Sequence, residues 1–408
     1  MNLFRRIYCR SYQLVMKMAI PFLPYRTPQI LENMEKIIPV LKEKQASCLM
    51  IVTDRGIIQH GLLTSFLDIL NNNHIKYVVY DKTMPNPTVI QVEEARVLYL
   101  EKGCQALIAV GGGSSMDLAK ALGARIVRPK KTVQQMKGLL HIRKRLPLFI
   151  AVPTTAGTGS ETTLAAVITD AKTHHKYPIN DFFLIPHYAV LDYHLTLSLP
   201  KEITATTGMD ALTHAVEAFI GKSRTPKTKA MAVRAVCLIH DNLRASYENP
   251  SNETARKNML YAAHYAGIAF TKSYVGYIHA VAHSLGGRYG IPHGLANAVI
   301  LPIFLEEYGS KIYKRLAYLA KKAGIAAAED SIEEAAKKFI DWIYSMNQSM
   351  DIPKRLSGIQ EKDIPMMAAY ADKEGNPLYP VPVLMDYEKL KEMLYLSLIH
   401  ISEPTRPL

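Results

Sequence analysis

The stretch "LIAVGGGSSMDLAK" (residues 107–120) joins a run of apolar residues to three glycines and then to a pattern with helical spacing. Glycines let backbone N–H groups approach an anionic group closely, and Ser114 or Ser115 can cap the helix that follows. A strand, a glycine-rich turn and a helix in this order predict a nucleotide-binding corner of a parallel sheet. Met116 stands where the usual dinucleotide fingerprint has its third glycine, so an ordinary tight strand–helix connection is the alternative.

Similar short apolar runs recur through the first half of the chain, and each of them ends in turn residues. Stretches with helical spacing, such as 61–71 and 88–102, lie between several of these runs. Strands that alternate with helices are typical of a parallel sheet that is covered on both faces. The predicted strands are "SCLMIVTD" (47–54), "KYVVYD" (76–81), "QALIAVGGG" (105–113), "LFIAVPTT" (148–155) and "YAVLD" (188–192).

From about residue 200 onward the chain consists of long, alanine-rich stretches with helical periodicity, and strand-like runs are nearly absent. We therefore predict an α/β fold class, with a Rossmann-like parallel-sheet dinucleotide domain at 31–199 and an all-helical C-terminal domain at 200–396. The basic segment 1–30 is predicted to pack on the first domain as an extension, with peripheral membrane contact as the alternative. Residues 397–408 break the helical period and end rich in proline, which predicts a disordered tail foreign to the fold.

The composition of the 408-residue chain is that of an ordinary globular protein, although its net charge is +13. The cations are spread out and are not interleaved with aromatic residues, which favours a solvated basic face over nucleic-acid binding. Four scattered cysteines argue against a disulfide framework and are typical of a reducing cytoplasm. No run approaches the ~20 apolar residues that a membrane span requires.

Two further strand ends carry groups that suit a nucleotide. Asp54 follows an apolar strand, where its carboxylate can accept ribose hydroxyls and repel a 2′-phosphate; this favours NAD over NADP, and a helix cap is the alternative. The segment "PTTAGTGSE" (153–161) supplies hydroxyl and amide groups for anionic oxygens through Thr154, Thr155 and Thr158. Because ligands bind at the carboxyl ends of strands in open parallel sheets, we expect these segments to converge on one crevice.

A second group of polar residues lies in the helical half. Asp210 and His214 are four residues apart in "GMDALTHAVE", so both side chains leave one face of a helix. The stretch "HAVAHSLGGRYGIPH" adds His279, His283 and His293. Carboxylate and imidazole without thiolate suit Fe(II), Zn, Mn, Co or Ni. The spacing predicts a metal site without saying which histidines bind, and histidines that serve packing or the surface are the alternative.

These motifs, in this order, resemble the iron-containing (group III) alcohol dehydrogenase family, in particular its butanol dehydrogenase-like members. The resemblance extends from about residue 49 to residue 396 and includes "VTD", "PNPT", "GGGSSMDLAK", "PTTAGTGSE", "GMDALTHAVE" and "HAVAHSLGGRYGIPHGLANAVILP". It implies a cytoplasmic, homodimeric oxidoreductase that acts on small aliphatic alcohols and aldehydes, with its active site in a cleft between the two domains. Hydride would pass between the substrate and the nicotinamide, while a metal polarises the substrate oxygen.

The same resemblance assigns roles to individual residues. His283 is placed beside the nicotinamide, where it would relay a proton. One divalent metal, Fe²⁺ with Zn²⁺ as the alternative, is implied at Asp210, His214, His279 and His293. Contacts to NAD, rather than NADP, are implied at Asp54, Asn86, Gly112, Gly113, Ser114, Asp117, Thr154, Thr155, Thr158 and Lys176.

Two positions depart from residues common in the family, namely Tyr277 and Ser284, and both are expected near the substrate. A glycerol dehydrogenase- or dehydroquinate synthase-type member of the same superfamily is the alternative function. Those sites generally use three protein ligands and lack a histidine four residues after the aspartate, so His214 argues against them. A non-catalytic scaffold protein that binds a nucleotide or a metal is the remote alternative.

Overall fold

A computed structural model of the chain describes residues 1–169 and 176–398. These residues divide into two compact units. The α/β unit comprises Pro24–Leu199 and Pro250–Thr271, and the helical unit comprises Met1–Leu23, Pro200–Asn249 and the described residues from Lys272 onward.

The strands all lie in the α/β unit. Their bounds are β1 Gln29–Leu31, β2 Cys48–Val52, β3 Lys76–Tyr80, β4 Ala106–Gly111, β5 Gly138–Leu139, β6 Leu148–Pro153, β7 Ala165–Thr169, β8 Lys176–Asn180 and β9 Tyr188–Val190. Six of them form a parallel sheet in the order β1-β9-β6-β4-β2-β3. All five predicted strands belong to this sheet, and the predicted α/β fold class is confirmed.

Both faces of this sheet are buried. Leu107 and Ala109 of β4 enter one hydrophobic cluster, whereas Ile108 and Val110 of the same strand enter another. Because successive side chains of a strand point to opposite faces, the two clusters lie on opposite sides of the sheet. This double burial explains why the strands are continuous apolar runs instead of alternating ones.

A small second sheet was not predicted from the sequence. It has the order β5-β8-β7, with β7 antiparallel and β5 parallel to β8. Residues 170–175, between β7 and β8, lie outside the described part of the chain. β5 has only two residues and β7 is only half-buried, so neither strand forms the apolar run that identifies the main sheet.

The helices cover the sheet and build the helical unit. Among those the structure describes, none combines the length and the apolar character that a membrane crossing requires. Their bounds are α1 Leu3–Ala19, α2 Ile37–Glu43, α3 Arg55–Gln59, α4 Thr64–Asn72, α5 Val89–Glu101, α6 Gly113–Val127, α7 Lys201–Ile220, α8 Pro226–Glu248, α9 Glu253–Ser273, α10 Tyr277–Tyr289, α11 His293–Tyr308, α12 Tyr313–Lys322, α13 Ile332–Ser349, α14 Ile364–Gly375 and α15 Tyr387–Leu398.

The N-terminal segment does not pack where the sequence suggested. Helix α1 belongs to the helical unit, not to the first domain. Arg5 Nη2 donates to Asp372 Oδ2 at 2.6 Å, and Gln13 Nε2 donates to Tyr379 O at 2.7 Å. The prediction for residues 1–30 is therefore wrong for α1, because the acceptors for its polar side chains are supplied near the C-terminus.

Helix α9 also departs from the predicted boundaries, since most of it belongs to the α/β unit. A Cβ on Gly267 of α9 would lie 2.9 Å from Gly159 O, so the helix meets the segment after β6 at backbone distance. His264 Nδ1 and Glu161 Oε1, both buried, lie 3.2 Å apart and join the same two segments. Residues 200–396 are thus not one contiguous helical unit.

The predicted C-terminal tail overlaps the last helix. Helix α15 extends through Leu398, and Ser397 is buried with its Oγ donating to Met393 O at 2.7 Å. The tail prediction is therefore wrong for residues 397 and 398, and the rest of it, residues 399–408, lies outside the described residues.

Candidate functional site

The glycine-rich turn of the α/β unit is approached closely by the segment after β6. Gly111 has φ +145°, and a Cβ there would lie 2.5 Å from Ser115 Oγ, so a side chain is not accommodated. A Cβ on Gly112 would lie 3.7 Å from Thr155 Oγ1, and one on Gly113 would lie 3.3 Å from Thr158 Cγ2. The two segments meet because β4 and β6 are neighbours in the sheet.

Helix α6 begins earlier than the sequence suggested. Its first residue is Gly113, and its N-cap is Gly112, which has no side chain to cap the helix. Ser114 and Ser115 therefore lie within the first turn, and the prediction that one of them caps the helix is wrong. The N–H groups of a first helical turn have no acceptor within the helix, which makes this end suitable for a phosphate.

Asp54 caps helix α3, which is the alternative role considered for it from the sequence. Its Oδ1 accepts from Ile57 N at 3.1 Å and caps α3. Its Oδ2 is directed to the glycine-rich turn, since a Cβ on Gly111 would lie 3.6 Å from it. One carboxylate oxygen thus stabilises a helix while the other faces the predicted nucleotide corner, so the cap does not exclude the cofactor role.

The other predicted cofactor residues are placed by different elements. Thr154 is buried, and its backbone N–H donates to Gly111 O at 3.1 Å. Asn86 is exposed in the left-handed region with φ 61°, just before α5. Lys176 is half-buried as the first residue of β8, and burial lowers the pKa of its ammonium.

Asp117 contacts protein groups with both carboxylate oxygens. Oδ1 accepts from Ser160 Oγ at 3.2 Å, and Oδ2 accepts from Val167 N at 3.1 Å. Burial raises the pKa of this carboxyl to about 6, although the nearby Lys120 acts in the opposite direction. Asp117 therefore anchors the first turns of α6 to the segment after β6. The sequence had instead predicted that Asp117 contacts the cofactor.

The predicted metal residues of the helical unit converge. Asp210 and His214 leave one face of α7, His279 lies on α10, and His293 is the first residue of α11. Each offers one donor atom, and these four atoms all lie within 4.8 Å of one another. Asp210, His214 and His279 are buried, whereas the His293 side chain is 37% exposed. Their role as metal ligands stays a prediction.

Asn297, which sequence reasoning missed, lies among these donors. Its Nδ2 donates to Asp210 Oδ1 at 2.7 Å, and lies 3.1 Å from His293 Nε2 and 3.3 Å from His279 Nε2. Its Oδ1 is buried without a hydrogen-bond partner among the described residues. Three of the four donor atoms are thus turned toward one electropositive group, as donors around a cation would be.

Glu217 was also missed, and it orients His279. Glu217 Oε2 lies 2.5 Å from His279 Nδ1 and accepts from Gly276 N at 2.9 Å, while Oε1 accepts from Ile278 N at 3.0 Å. Burial, reinforced by the neighbouring imidazoles, lowers the pKa of His279, so the ring is neutral. A proton held on Nδ1 leaves Nε2 free to bind a metal.

The spacing along α7 contains the signal for Glu217. It follows His214 by three residues and Asp210 by seven, so all three share one helix face. A carboxylate that orients a metal-binding histidine is a common arrangement.

His283 lies beside the metal residues. Its ring stacks on that of His293 with centroids 5.1 Å apart, and its side chain is 41% exposed. Its Nδ1 lies 2.6 Å from Glu374 Oε1, which also accepts from Tyr379 Oη at 2.7 Å. Although burial opposes it, the neighbouring His283 and these hydrogen bonds hold the pKa of Glu374 below its usual value. Glu374 is 91 residues from His283, so no local pattern could have revealed the pair.

The two residues expected near the substrate, Tyr277 and Ser284, are buried and hydrogen-bond to other groups of the protein. Tyr277 is fully buried, and its hydroxyl donates to Asn376 Oδ1 at 2.7 Å. Ser284 is buried, and its Oγ donates to Val281 O of its own helix at 2.7 Å. The prediction is wrong for Tyr277, because a side chain without exposed surface packs the helical core and cannot select a substrate.

Two family models match the chain. The model "Iron-containing alcohol dehydrogenase" matches residues 28–193, and the model "Fe-containing alcohol dehydrogenase family, C-terminal" matches residues 204–397. Together they cover both the glycine-rich turn and the four converging donors.

Individual proteins agree with these matches. The chain is 38% identical over 331 residues to a 1,3-propanediol dehydrogenase of Klebsiella pneumoniae, a match that covers 80% of this chain and 85% of the relative. It is 34% identical over 333 residues to an NAD-dependent methanol dehydrogenase of Bacillus methanolicus, covering 81% of this chain and 87% of the relative. The crystal structure of a 1,3-propanediol oxidoreductase superposes with a TM-score of 0.87 at 33% identity, covering 91% of this chain and 99% of that one.

Proposed function

Because the chain belongs to the iron-containing alcohol dehydrogenase family, we propose that it interconverts small aliphatic alcohols and aldehydes, with NAD(H) as the hydride carrier and one divalent metal. The observation that carries the proposal is the convergence of Asp210, His214, His279 and His293 within 4.8 Å. His214 within this group favours a four-ligand alcohol dehydrogenase over the three-ligand members of the superfamily.

The donor set fits a first-row divalent ion. Imidazole and carboxylate donors without thiolate suit Fe²⁺, and they suit Zn²⁺ as well. The three donor atoms turned toward Asn297 Nδ2 and the neutral His279 ring fit a site that receives a cation. When bound, the metal would polarise the substrate oxygen, and the nicotinamide would carry the hydride.

The chain's own residues would hold the metal and manage the proton. Glu217 fixes the tautomer of His279, so that Nε2 faces the other donors. His283 would move a proton between the substrate side and solvent, because its ring is partly exposed and stacks on His293. Glu374, 2.6 Å from His283 Nδ1, would favour the protonated ring during that transfer.

The proposed preference for NAD depends on Asp54. Its Oδ2 faces the glycine-rich turn, where a carboxylate would accept ribose hydroxyls and repel a 2′-phosphate. The Bacillus methanolicus relative, named as NAD-dependent, supports this choice.

One anaerobic preparation tests the proposal. We expect about one metal ion per chain, and oxidation of NADH in preference to NADPH with short aliphatic aldehydes. The Asp54→Ser variant should lose part of this preference while it keeps the cap of α3, because serine caps helices as well as aspartate does. Oxidation of neither coenzyme by metal-loaded protein with any aldehyde would contradict the function, and a strong NADPH preference would contradict the role of Asp54.

We further propose a cytoplasmic homodimer. The four cysteines are free, and Cys48 Sγ and Cys104 Sγ are 3.8 Å apart without a bond, which suits a reducing compartment. Light scattering on the purified chain measures the molar mass, and a monomeric mass would contradict the dimer.

A further inference from the structure

Helix α1 presents an unusual outward face. A surface helix normally directs polar residues to solvent. On α1 most outward residues are instead large and apolar and are 55% to 85% exposed, with the exposed Ser11 among them. At ~100° per residue they cover about one third of the helix circumference. We call this the α1 apolar face; it consists of Leu3, Phe4, Ile7, Leu14, Val15 and Met18.

The opposite face of α1 is held by the helical unit. Cys9 and Gln13 are buried there, and Gln13 Nε2 donates to Tyr379 O at 2.7 Å. Arg5 pairs with Asp372 at 2.6 Å on the same side. The helix is therefore fixed along its length, and the α1 apolar face remains on the surface of the protein.

A row of cations borders the α1 apolar face on one side. Arg6, Arg10 and Lys17 lie on one stripe of the helix, between its buried and its apolar faces. This stripe lines a cavity of about 810 Å³ together with Lys222 and Lys311. The described residues that line this cavity include five cationic side chains and no carboxylate.

The cations of this region are close enough to repel one another. The pKa of Lys222 is lowered by burial and further by Arg10, Arg315 and Arg6. Arg224 and Arg315 extend the positive region, since they line a neighbouring cavity with Lys17 and Lys222. The chain thus concentrates positive side chains beside exposed apolar residues, and among the described residues no carboxylate lines either cavity.

We propose that α1 binds the surface of an anionic lipid bilayer, with the α1 apolar face entering the headgroup region and the adjacent cations contacting lipid phosphates. Basic amphipathic helices that lie in the interface plane combine these two features. Because one face of α1 is fixed to the protein, the helix lies on the bilayer and does not cross it. The proposal is independent of the proposed enzymatic function.

The charge distribution favours this partner over two others. In a symmetric dimer each subunit presents the same patch, so a second copy would bring the two sets of cations together. A nucleic acid would contact the cations but would leave the α1 apolar face in water. An anionic bilayer satisfies both the charged and the apolar parts of the surface.

Vesicle co-sedimentation of the full chain tests the proposal. Vesicles of phosphatidylcholine with about one third phosphatidylglycerol should bind the chain, whereas pure phosphatidylcholine vesicles should bind it weakly. Binding should fall as sodium chloride is raised. An apolar variant (Phe4→Gln, Ile7→Gln, Met18→Gln) should lower the partition coefficient at least about tenfold. A cation variant (Arg6→Gln, Lys17→Gln, Lys222→Gln) should lower it about a hundredfold.

A matched control changes exposed apolar residues of α5, namely Ile90→Gln, Val97→Gln and Leu100→Gln, whose side chains are 50% to 58% exposed. The control should bind vesicles like the unchanged chain, and circular dichroism with thermal unfolding should show that all variants fold. The proposal is overturned if anionic vesicles are not bound, or if the apolar and control variants bind equally. It is also overturned if the apolar variant changes the molar mass of the protein without changing vesicle binding, because a second copy then covers the face. Loss of binding in the cation variant alone would indicate a general polyanion site and would overturn it too.

Discussion

Each of the two units buries a polar cluster, and the two clusters are built differently. In the α/β unit the Lys120 ammonium is fully buried and donates to Ser160 O, Thr163 Oγ1 and Ala165 O at 2.7 to 2.9 Å. Burial lowers its pKa to about 8, so the group remains charged at neutral pH. In the helical unit three imidazoles and one carboxylate converge, and the Asn297 amide lies against three of these four groups.

Under the proposed function, the cluster around Lys120 is structural and the cluster of the helical unit is the one that binds a metal. Buried charges are stable only when they are paired or hydrogen-bonded. The oxygens around Lys120 surround a cation that the chain itself supplies, so this cluster completes the fold. The donors around Asn297 come from α7, α10 and α11 and fit a cation that comes from solution. Three predictions test this distinction, and a fourth contrasts two buried histidines.

The largest effect is expected for His279→Ala. Removing one of the four converging donors should abolish stable metal binding and lower the turnover of aldehyde by about a thousandfold or more. Metal analysis and NADH oxidation measure the two effects on one sample. The control is His60→Ala, an exposed histidine of the α/β unit, which should change neither. Full metal content in His279→Ala would contradict the assignment.

Lys120→Met should act on stability alone. It leaves Ser160 O, Thr163 Oγ1 and Ala165 O without their donor, which should lower the free energy of unfolding by about 3 kcal/mol. Urea denaturation measures this change. The metal content of the folded variant should stay unchanged, and a loss of metal would show that the two clusters are not distinct in role.

Glu217→Gln should weaken metal binding without removing a donor. The amide keeps the size of the Glu217 side chain but has one oxygen, so it cannot face Gly276 N, Ile278 N and His279 Nδ1 as two oxygens do, and metal affinity should fall about 10–100-fold. Competition with a chelator measures the affinity. Glu248→Gln, which removes an exposed carboxylate of α8 that pairs with Arg244, is the matched control. Equal affinities for both variants would contradict the positioning role.

The smallest effect is expected for His187→Gln, because His187 differs from His279 in its hydrogen-bond partner. His279 Nδ1 faces a carboxylate, whereas His187 Nδ1 accepts from Phe149 N at 3.1 Å and must stay neutral. Burial lowers the pKa of His187 to about 4, so the unfolded chain takes up this proton first as the pH falls. Stability is therefore lost as the pH falls from about 6.5 toward about 4. His187→Gln should reduce that loss by about 1 kcal/mol between about pH 7 and about pH 5.5 in urea titrations, and an unchanged slope would contradict it.

The main sheet could be predicted because burial on both faces produces continuous apolar strands, as in β4. The strands β1 and β5 could not, since β1 is mostly exposed and β5 has only two residues, neither of them buried. The convergence of Asp210 and His214 follows from helical spacing alone. His279 and His293 approach them only through the packing of different helices, which helical periodicity does not record. Their place in the site was predicted from the resemblance to the family.

The contacts of α1 show a different limit of sequence reasoning. Arg5 and its partner Asp372 are 367 residues apart, and no local pattern records such a pairing. A basic N-terminal segment could be recognised, but the unit on which it packs could not. The same holds for α9, whose contact with Gly159 depends on two glycines that are distant in sequence.

The separation between Arg5 and Asp372 also determines how long α1 waits for its partner during protein synthesis. Chains are extended at about 5–20 residues per second, so α1 leaves the ribosome roughly 20–70 s before its partner is made. A 17-residue helix is only marginally stable alone in water. Helix α1 therefore reaches its native contacts late although it is translated before α14, and the contacts between them form only when both segments have been synthesised.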